Sequence, residues 1–164
     1  MIVFVGFMGA GKSTIGKLVA RRLGLPFVDT DAVIEQRHGP IKNIFADRGE
    51  AGFRLLEAAV VREALNGPQR VVALGGGAVT TPQVRQMLRG HEVVWLQIPL
   101  QAALARMAGD TERPLLASPG LSQRFGRRQK LYAEVATHVV PVGRYSPSHT
   151  GRAVLKALGA DPAE

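Results

Sequence analysis

Short apolar runs alternate along the chain with longer segments in which apolar residues recur at helical spacing. The run IVFV at 2–5 is followed at once by glycines, and apolar residues then recur every three or four positions from Ile15 to Leu23. A short apolar run predicts a buried strand, and the wider spacing predicts an amphipathic helix. The chain therefore begins with a strand, a glycine loop and a helix, which ends where Gly24 and Pro26 break the pattern.

The same alternation continues to the far end of the chain and predicts four more strands and further helices. Pro141 in the last apolar run favours an edge strand or a bulge, because proline cannot donate to a sheet ladder. Alternating strands and helices predict an α/β fold of three layers, with a mostly parallel five-stranded sheet covered on both faces and ligands at its carboxyl edge. The later predicted strands are FV at 27–28, VVAL at 71–74, VVWLQI at 93–98 and VVPV at 139–142. The later predicted helices run from Phe53 to Leu65, from the N-cap pair Thr81-Pro82, and from Pro99.

Size and composition indicate one globular domain over residues 1–164. The hydrophobic fraction of 46% is typical of a globular protein. No cysteine is present, so disulfides and thiolate metal sites are excluded. No apolar run approaches the roughly 20 residues that span a bilayer, and the first residues lack the features of a signal peptide. We therefore expect a cytoplasmic protein that does not contact membranes, and the simplest assembly is a monomer.

The net charge of +8 raises the question of a polyanionic partner. Basic residues are scattered, with only short pairs such as Arg21-Arg22 and Arg127-Arg128, and aromatic residues do not interleave with them. The charge pattern therefore favours a small charged substrate, and we expect no nucleic-acid partner.

The segment GFMGAGKS at 6–13 carries the clearest chemical signal. It matches the phosphate-loop pattern G-x-x-x-x-G-K-[ST] and lies between a predicted strand and a predicted helix. Backbone N–H groups of such a loop bind phosphate oxygens, Lys12 is expected to reach the β- and γ-phosphates, and Ser13 to supply a hydroxyl to Mg²⁺. The alternative is a turn that only caps a helix, which the lysine and the flanking elements disfavour. The expected ATP-binding residues here are Gly9, Ala10, Gly11, Lys12, Ser13 and Thr14.

Two carboxylates, Asp29 and Asp31, follow the second predicted strand. Successive strand residues point to opposite faces, so the two side chains share a side while the strand lasts. One carboxylate can bind Mg²⁺ through water while the other accepts a proton from an attacking hydroxyl. The alternative is that Asp31 only caps a helix beginning at Ala32. Local sequence leaves both readings open.

Five segments, in this order and spacing, resemble the shikimate kinase family. The resemblance covers nearly the whole chain and implies a P-loop kinase fold like that of nucleoside monophosphate kinases, with a substrate-binding helical region at about 31–62 and a mobile lid at about 108–126. It implies Mg²⁺-dependent transfer of the γ-phosphate of ATP to the 3-hydroxyl of shikimate, in chorismate and aromatic amino-acid biosynthesis. The segments are GFMGAGKST at 6–14, DTD at 29–31, GEAGFRLLE at 49–57, GGGAV at 75–79 and ERPLL at 112–116.

The resemblance also implies roles for individual residues on the nucleotide side. Lys12, Asp31 and Arg113 are the implied catalytic residues, with Asp31 on the substrate hydroxyls and Arg113 closing over the transferring phosphate. Asp29 is implied to bind Mg²⁺ through water, together with Ser13. Arg106 is implied to pack on the adenine. The punctuated stretch from Gly109 to Gly126, which contains Arg113, predicts a mobile loop in agreement with a lid.

On the acceptor side the resemblance assigns two arginines to the substrate carboxylate, Arg54 and Arg128. Family members have P-L-Y after the second arginine, whereas this chain has Lys130-Leu131-Tyr132, which leaves Arg127 as an alternative to Arg128. From local sequence alone Arg54 also fits a solvated charge on an amphipathic helix, and Glu57 at i+3 either orients it or forms a weak surface pair. The resemblance further assigns to substrate contact the glycine loop Gly75, Gly76 and Gly77.

Two other functions compete with this assignment. A gluconate kinase-like enzyme of the same fold would also use an arginine for a carboxylate, but the DTD and Phe-Arg segments favour shikimate. A nucleotide-dependent protein that contacts RNA would fit the basic charge. Such a protein would not need acids and arginines arranged around a second pocket.

Overall fold

Five strands form one sheet in the order β2-β3-β1-β4-β5, and every strand pair is parallel. The structure is a computed structural model that describes residues 1–108 and 119–160. Within these described residues β5, which contains Pro141, pairs only with β4 and forms one edge, so the edge strand expected from the proline is confirmed. The strands are β1 (Ile2–Val5), β2 (Phe27–Asp29), β3 (Val71–Ala73), β4 (Glu92–Gln97) and β5 (His138–Pro141).

Helices pack on both faces of this sheet, so the predicted three-layer α/β fold is confirmed. Pro82 occupies the first turn of its helix as predicted, but the side chain of Thr81 forms no capping hydrogen bond. None of the described helices combines the length and the apolarity needed to cross a bilayer. The helices are α1 (Lys12–Leu23), α2 (Thr30–His38), α3 (Ile41–Ala64), α4 (Pro82–Met87), α5 (Leu100–Met107), α6 (Leu121–Val135) and α7 (Pro147–Ala157), with a 3-10 turn at Ala78–Thr80.

The central strands place the candidate site at one edge of the sheet. All four residues of β1 are buried, as expected for a strand that has a parallel neighbour on each side and helices on both faces. Phe4 of β1 and Asp29 of β2 are both aligned with Ala73 of β3. The glycine loop after β1, the acids at the end of β2 and the glycines after β3 therefore leave the sheet at the same level.

A second, smaller apolar cluster stabilises the helical pair α2 and α3. This pair lies within the region, at about 31–62, that the resemblance assigns to substrate binding. The sequence predicts a helix only from Phe53, whereas α3 begins at Ile41 and bends at Gly49, whose φ is 68°. In the first half of α3 the apolar residues Ile41, Ile44 and Phe45 span little more than one turn and exposed polar residues follow them, so the apolar period is too short to reveal a helix. The cluster consists of Ile34, Ile44, Phe53 and Val60.

Helix α6 begins earlier than the sequence pattern predicts. The stretch from Gly109 to Gly126 was expected to be a loop, but α6 starts at Leu121, so the prediction is wrong for residues 121–126. Gly126 and the exposed polar residues of this turn conceal the helical period. The predicted lid is otherwise centred on residues that lie outside the described part of the chain.

Candidate active site

The loop between β1 and α1 has the shape of a phosphate-binding loop. Gly11, with φ of 90°, immediately precedes α1, and Gly6 has φ of 149°, so both positions favour glycine. Lys12 Nζ donates hydrogen bonds to the carbonyl oxygens of Gly6 at 2.7 Å and Phe7 at 3.2 Å. The ammonium group therefore lies over the loop whose N–H groups and helix N-terminus would bind phosphates.

Asp29 links this loop to the start of α2. Ser13 Oγ donates a hydrogen bond to Asp29 Oδ2, and Asp29 Oδ1 accepts from the backbone N–H groups of Asp31 at 3.0 Å and Ala32 at 3.2 Å. The hypothesis that Asp31 caps a helix beginning at Ala32 is therefore wrong. The helix begins at Thr30 and Asp29 is its N-cap.

The carboxylate of Asp31 faces the glycine loop after β3. A Cβ atom built on Gly75 would lie 2.6 Å from Asp31 Oδ1 and 2.9 Å from Glu57 Oε1, so only glycine fits between these acids. Burial raises the pKa of Asp31, and the charge of Asp29 raises it further, while Lys12 and Arg54 oppose the rise. A carboxylate with a raised pKa is a stronger base for accepting a hydroxyl proton.

Arg54 and Glu57 form a largely buried ion pair on α3. Arg54 Nη1 donates to Glu57 Oε2 at 2.6 Å, and the side chains are 15% and 1% exposed. This burial excludes the weak surface pair that the sequence left open. Burial raises the pKa of Glu57, and the charge of Arg54 opposes the rise. Glu57 therefore holds the Arg54 guanidinium in place beside the cleft.

Arg128 approaches the same point from α6. It is 8% exposed, whereas the neighbouring Arg127 is exposed to solvent. A Cβ atom on Gly77 would overlap the Arg54 guanidinium and lie 2.9 Å from Arg128 Nη2. Burial lowers the pKa of Arg128, and Arg54 contributes to the decrease. Two guanidinium groups of like charge thus converge in a poorly solvated site, which an anion would stabilise.

The backbone of the triple-glycine loop lies directly against these charged groups. Among residues 1–108 and 119–160, no acceptor is bonded to the N–H groups of Gly76 and Gly77. Cβ atoms built on Gly76 and Gly77 would both lie close to the Arg128 guanidinium, and the one on Gly77 also close to that of Arg54. The site therefore offers a carboxylate, two guanidinium groups and backbone donors around one space.

A separate cavity of about 280 Å³ lies beside the phosphate loop. Arg106, which the sequence assigned to the adenine, borders it, and its Nη1 donates to the carbonyl of Gly9 at 2.9 Å. Sequence reasoning missed Tyr145 and Pro147, which also line this cavity. The available signal was the GRYSP segment at 143–147, a turn-rich loop directly after the last strand. Arg113 lies outside the described residues.

A phosphate loop, an acid pair and two converging arginines at the carboxyl edge of a parallel sheet define the class of P-loop phosphotransferases. Comparison with known proteins refines this class. The shikimate kinase family model matches residues 8–159. The chain belongs to the shikimate kinase family, a family of ATP-dependent kinases, as the resemblance implied.

Individual relatives agree with this membership over nearly the full chain. The chain is 46% identical to the shikimate kinase of Mycobacterium avium over 166 residues, covering 98% of this chain and 94% of that protein. The structure of shikimate kinase from Acinetobacter baumannii in complex with shikimate aligns with a TM-score of 0.89 at 34% identity, covering 99% of this chain and 94% of that one. A gluconokinase from Sinorhizobium meliloti, at TM-score 0.62 and 21% identity, shares the fold.

Proposed function

We propose that this protein transfers the γ-phosphate of ATP to the 3-hydroxyl of shikimate, yielding shikimate 3-phosphate and ADP. The observation that carries the proposal is the convergence of Arg54 and Arg128 beside Asp31, in a chain that belongs to the shikimate kinase family. The proposed acceptor therefore carries both a carboxylate and hydroxyl groups, as shikimate does.

The acceptor is bound through its two kinds of polar group. The guanidinium groups of Arg54 and Arg128 bind the carboxylate, since a planar fork suits carboxylate oxygens. Asp31 accepts a hydrogen bond from the attacking hydroxyl and takes its proton during transfer. Gly76 and Gly77 offer N–H donors to the ring hydroxyls, and Gly75 leaves room between the acids.

The nucleotide lies along the phosphate loop. The N–H groups of residues 9–14 and the N-terminus of α1 bind its phosphates, and Lys12 neutralises charge on the γ-phosphate during transfer. The base occupies the 280 Å³ cavity beside Arg106. The resemblance adds Arg113 as the arginine that closes over the transferring phosphate. Transfer then needs positioning and charge neutralisation rather than a covalent enzyme intermediate.

Ser13 and Asp29 are the residues that would hold Mg²⁺. The Ser13 hydroxyl and the Asp29 carboxylate are hydrogen-bonded to each other beside the phosphate loop. Mg²⁺ prefers oxygen ligands, and both groups supply oxygen. When bound, the metal neutralises charge on the β- and γ-phosphates. Asp29 is held by two backbone N–H groups as well, so its oxygen is oriented before any ligand arrives.

An ADP-release assay on a panel of acceptors tests this function. With ATP and Mg²⁺ we expect turnover with shikimate and only background release with gluconate, nucleoside monophosphates or RNA. Mass spectrometry should identify a phosphorylated shikimate. Turnover with gluconate in place of shikimate would support a gluconate kinase-like enzyme. ATP hydrolysis stimulated by RNA would support a nucleotide-dependent protein that contacts RNA.

We also propose that the protein acts as a cytoplasmic monomer without a nucleic-acid partner. Within the described residues the exposed large hydrophobic side chains are Leu55 on α3, Val139 on β5 and Tyr145 in the loop after β5, and this spread favours no single apolar interface. Sedimentation at assay concentration should give a mass near the 17.6 kDa of one chain.

A further inference from the structure

Tyr132 connects helix α6 to the triple-glycine loop. Its side chain is fully buried, and its hydroxyl donates a hydrogen bond to the carbonyl oxygen of Gly76. The Tyr132 ring packs against Trp95, and the centroids of the two rings are 5.9 Å apart. A buried tyrosine hydroxyl needs a hydrogen-bond acceptor, and here a backbone carbonyl of the glycine loop accepts the bond. The glycine loop also faces the site proposed for shikimate.

The glycine loop depends on bonds of this kind, because it has no side chains of its own to anchor it. Cβ atoms at Gly75 and Gly77 would collide with charged groups of the site, so these positions must keep the most flexible residue. Hydroxyl groups instead bind one backbone atom of each glycine. Thr30 Oγ1 accepts from Gly75 N–H at 3.4 Å, Tyr132 donates to Gly76, and Thr80 Oγ1 donates to Gly77 at 2.6 Å.

Among these three hydroxyls, that of Tyr132 comes from the helix that carries Arg128. The two residues are four positions apart on α6, so they lie on the same face of the helix, one turn apart. Thr80 is three residues from the glycine it binds, and Thr30 begins α2. The Tyr132 bond is therefore the one that fixes the glycine loop relative to Arg128.

We propose that Tyr132 is a positioning residue for the phosphate acceptor. Its hydroxyl holds the N–H groups of the glycine loop and the guanidinium of Arg128 in one geometry, so that both ends of the acceptor are bound together. The proposal rests on the proposed function, since it takes shikimate as the molecule that these groups bind. The nucleotide lies against other elements, so its affinity should not depend on this bond.

The variant Tyr132→Phe tests the proposal because it removes the hydroxyl and keeps the ring packed. Loss of a hydrogen bond of ordinary strength corresponds to about a three- to tenfold change in affinity. We expect KM for shikimate to rise by about that factor, with a smaller change in kcat and with KM for ATP within about twofold of wild type. Replacing Tyr132 by 4-aminophenylalanine, which keeps a donor, should restore KM.

Thr137→Val provides a matched control. Thr137 Oγ1 donates to the carbonyl of Val93 at 3.1 Å and accepts from its N–H at 2.8 Å, so this variant also removes a hydroxyl bound to backbone. Thr137 immediately precedes β5, so it lies at the amino ends of the strands, whereas the cleft lies at their carboxyl ends. Both variants should lower Tm, and only Tyr132→Phe should raise KM for shikimate.

The outcomes separate this proposal from the proposed function. A wild-type protein that does not phosphorylate shikimate would contradict the function itself. If wild type is active and Tyr132→Phe keeps the wild-type KM for shikimate, the positioning role is wrong. Equal increases in KM for shikimate and ATP would also overturn it, because they would show a general loss of folded structure.

Discussion

Replacing Arg54 by methionine separates its contribution to folding from its contribution to acceptor binding. Arg54 is 15% exposed and bonds to Glu57, which is 1% exposed. In Arg54→Met the buried carboxylate keeps its place and loses its positive partner. The variant should therefore be both less stable and less active towards shikimate.

The two losses have different sizes. Removing one partner of a buried ion pair costs about 3–5 kcal/mol, which at about 2–4 °C per kcal/mol for a chain of this length lowers Tm by about 6–20 °C. Removing one charge-assisted hydrogen bond to a substrate carboxylate costs about 1.5–3 kcal/mol, or about ten- to a hundredfold in kcat/KM. KM for ATP should remain within about twofold of wild type.

The stability loss should depend on pH in a defined direction. The folded-state pKa of Glu57 is raised by burial, so its contribution to stability is present below the unfolded-state pKa and is lost as pH rises through the folded one. Arg54 opposes that rise, and its removal moves the pKa of Glu57 further upward. The Tm deficit of Arg54→Met should therefore grow as pH rises above 4.5, the ordinary pKa of a glutamate side chain.

The double variant Arg54→Met/Glu57→Gln is the matched control. It removes the buried charge along with its partner, so most of the lost Tm and of its pH dependence should return. The low kcat/KM for shikimate should persist, since the guanidinium is still absent. Thermal melts across pH and steady-state kinetics should be measured on wild type, on Arg54→Met and on the double variant. Recovery of shikimate turnover in the double variant would refute the carboxylate role of Arg54, and no recovery of Tm would refute the buried-pair argument.

Four further substitutions test the phosphate-transfer machinery. Lys12→Met should leave a folded protein whose kcat falls at least about a hundredfold, and near-normal turnover would contradict the phosphate-loop assignment. Asp29→Asn should raise the Mg²⁺ concentration needed for half-maximal activity, whereas Asp31→Asn should depress kcat even at saturating Mg²⁺; identical magnesium titrations would contradict this division. Arg113→Ala should lower kcat by about tenfold or more while calorimetry finds shikimate binding little changed, and a parallel loss of binding would exclude a lid role.

The fold follows from the sequence where burial on both faces imposes apolar runs. IVFV at 2–5 and VVWL at 93–96 lie in strands because the residues of a central parallel strand are buried on both faces, and the phosphate-loop motif marks the junction of β1 and α1. The first half of α3 and the start of α6 gave no such signal. Their apolar residues, at 41, 44 and 45 in α3 and at 121 and 125 in α6, span little more than one turn before a glycine, so the repeat that reveals a helix is too short there.

The candidate site shows a similar division. Asp29 and Asp31 were found as a pair, but their separate environments depend on where α2 begins, which the strand alternation rule does not give. Arg127 and Arg128 carry the same charge and could not be separated by charge. Tyr132 distinguishes them, because this buried aromatic residue marks the inward face of the helix and Arg128, four residues earlier, lies on the same face.

The base cavity was the part least visible in the sequence. Tyr145 and Pro147 belong to a loop, and their proximity to Arg106 results from the packing of β5 beside β4 rather than from any local pattern. Side chains that converge from distant segments leave no periodicity. Such residues emerge only once the strand order is known.

The central claim is that two arginines bind the carboxylate of the molecule that receives the phosphate. Shikimate methyl ester keeps the ring and the hydroxyls and removes the negative charge, so the ratio of kcat/KM for acid over ester isolates that contact. Wild type should prefer the acid by about a hundredfold or more, because two charge-assisted contacts are lost, and Arg54→Met/Glu57→Gln should show a much smaller ratio. Equal kcat/KM for acid and ester in wild type would contradict the claim.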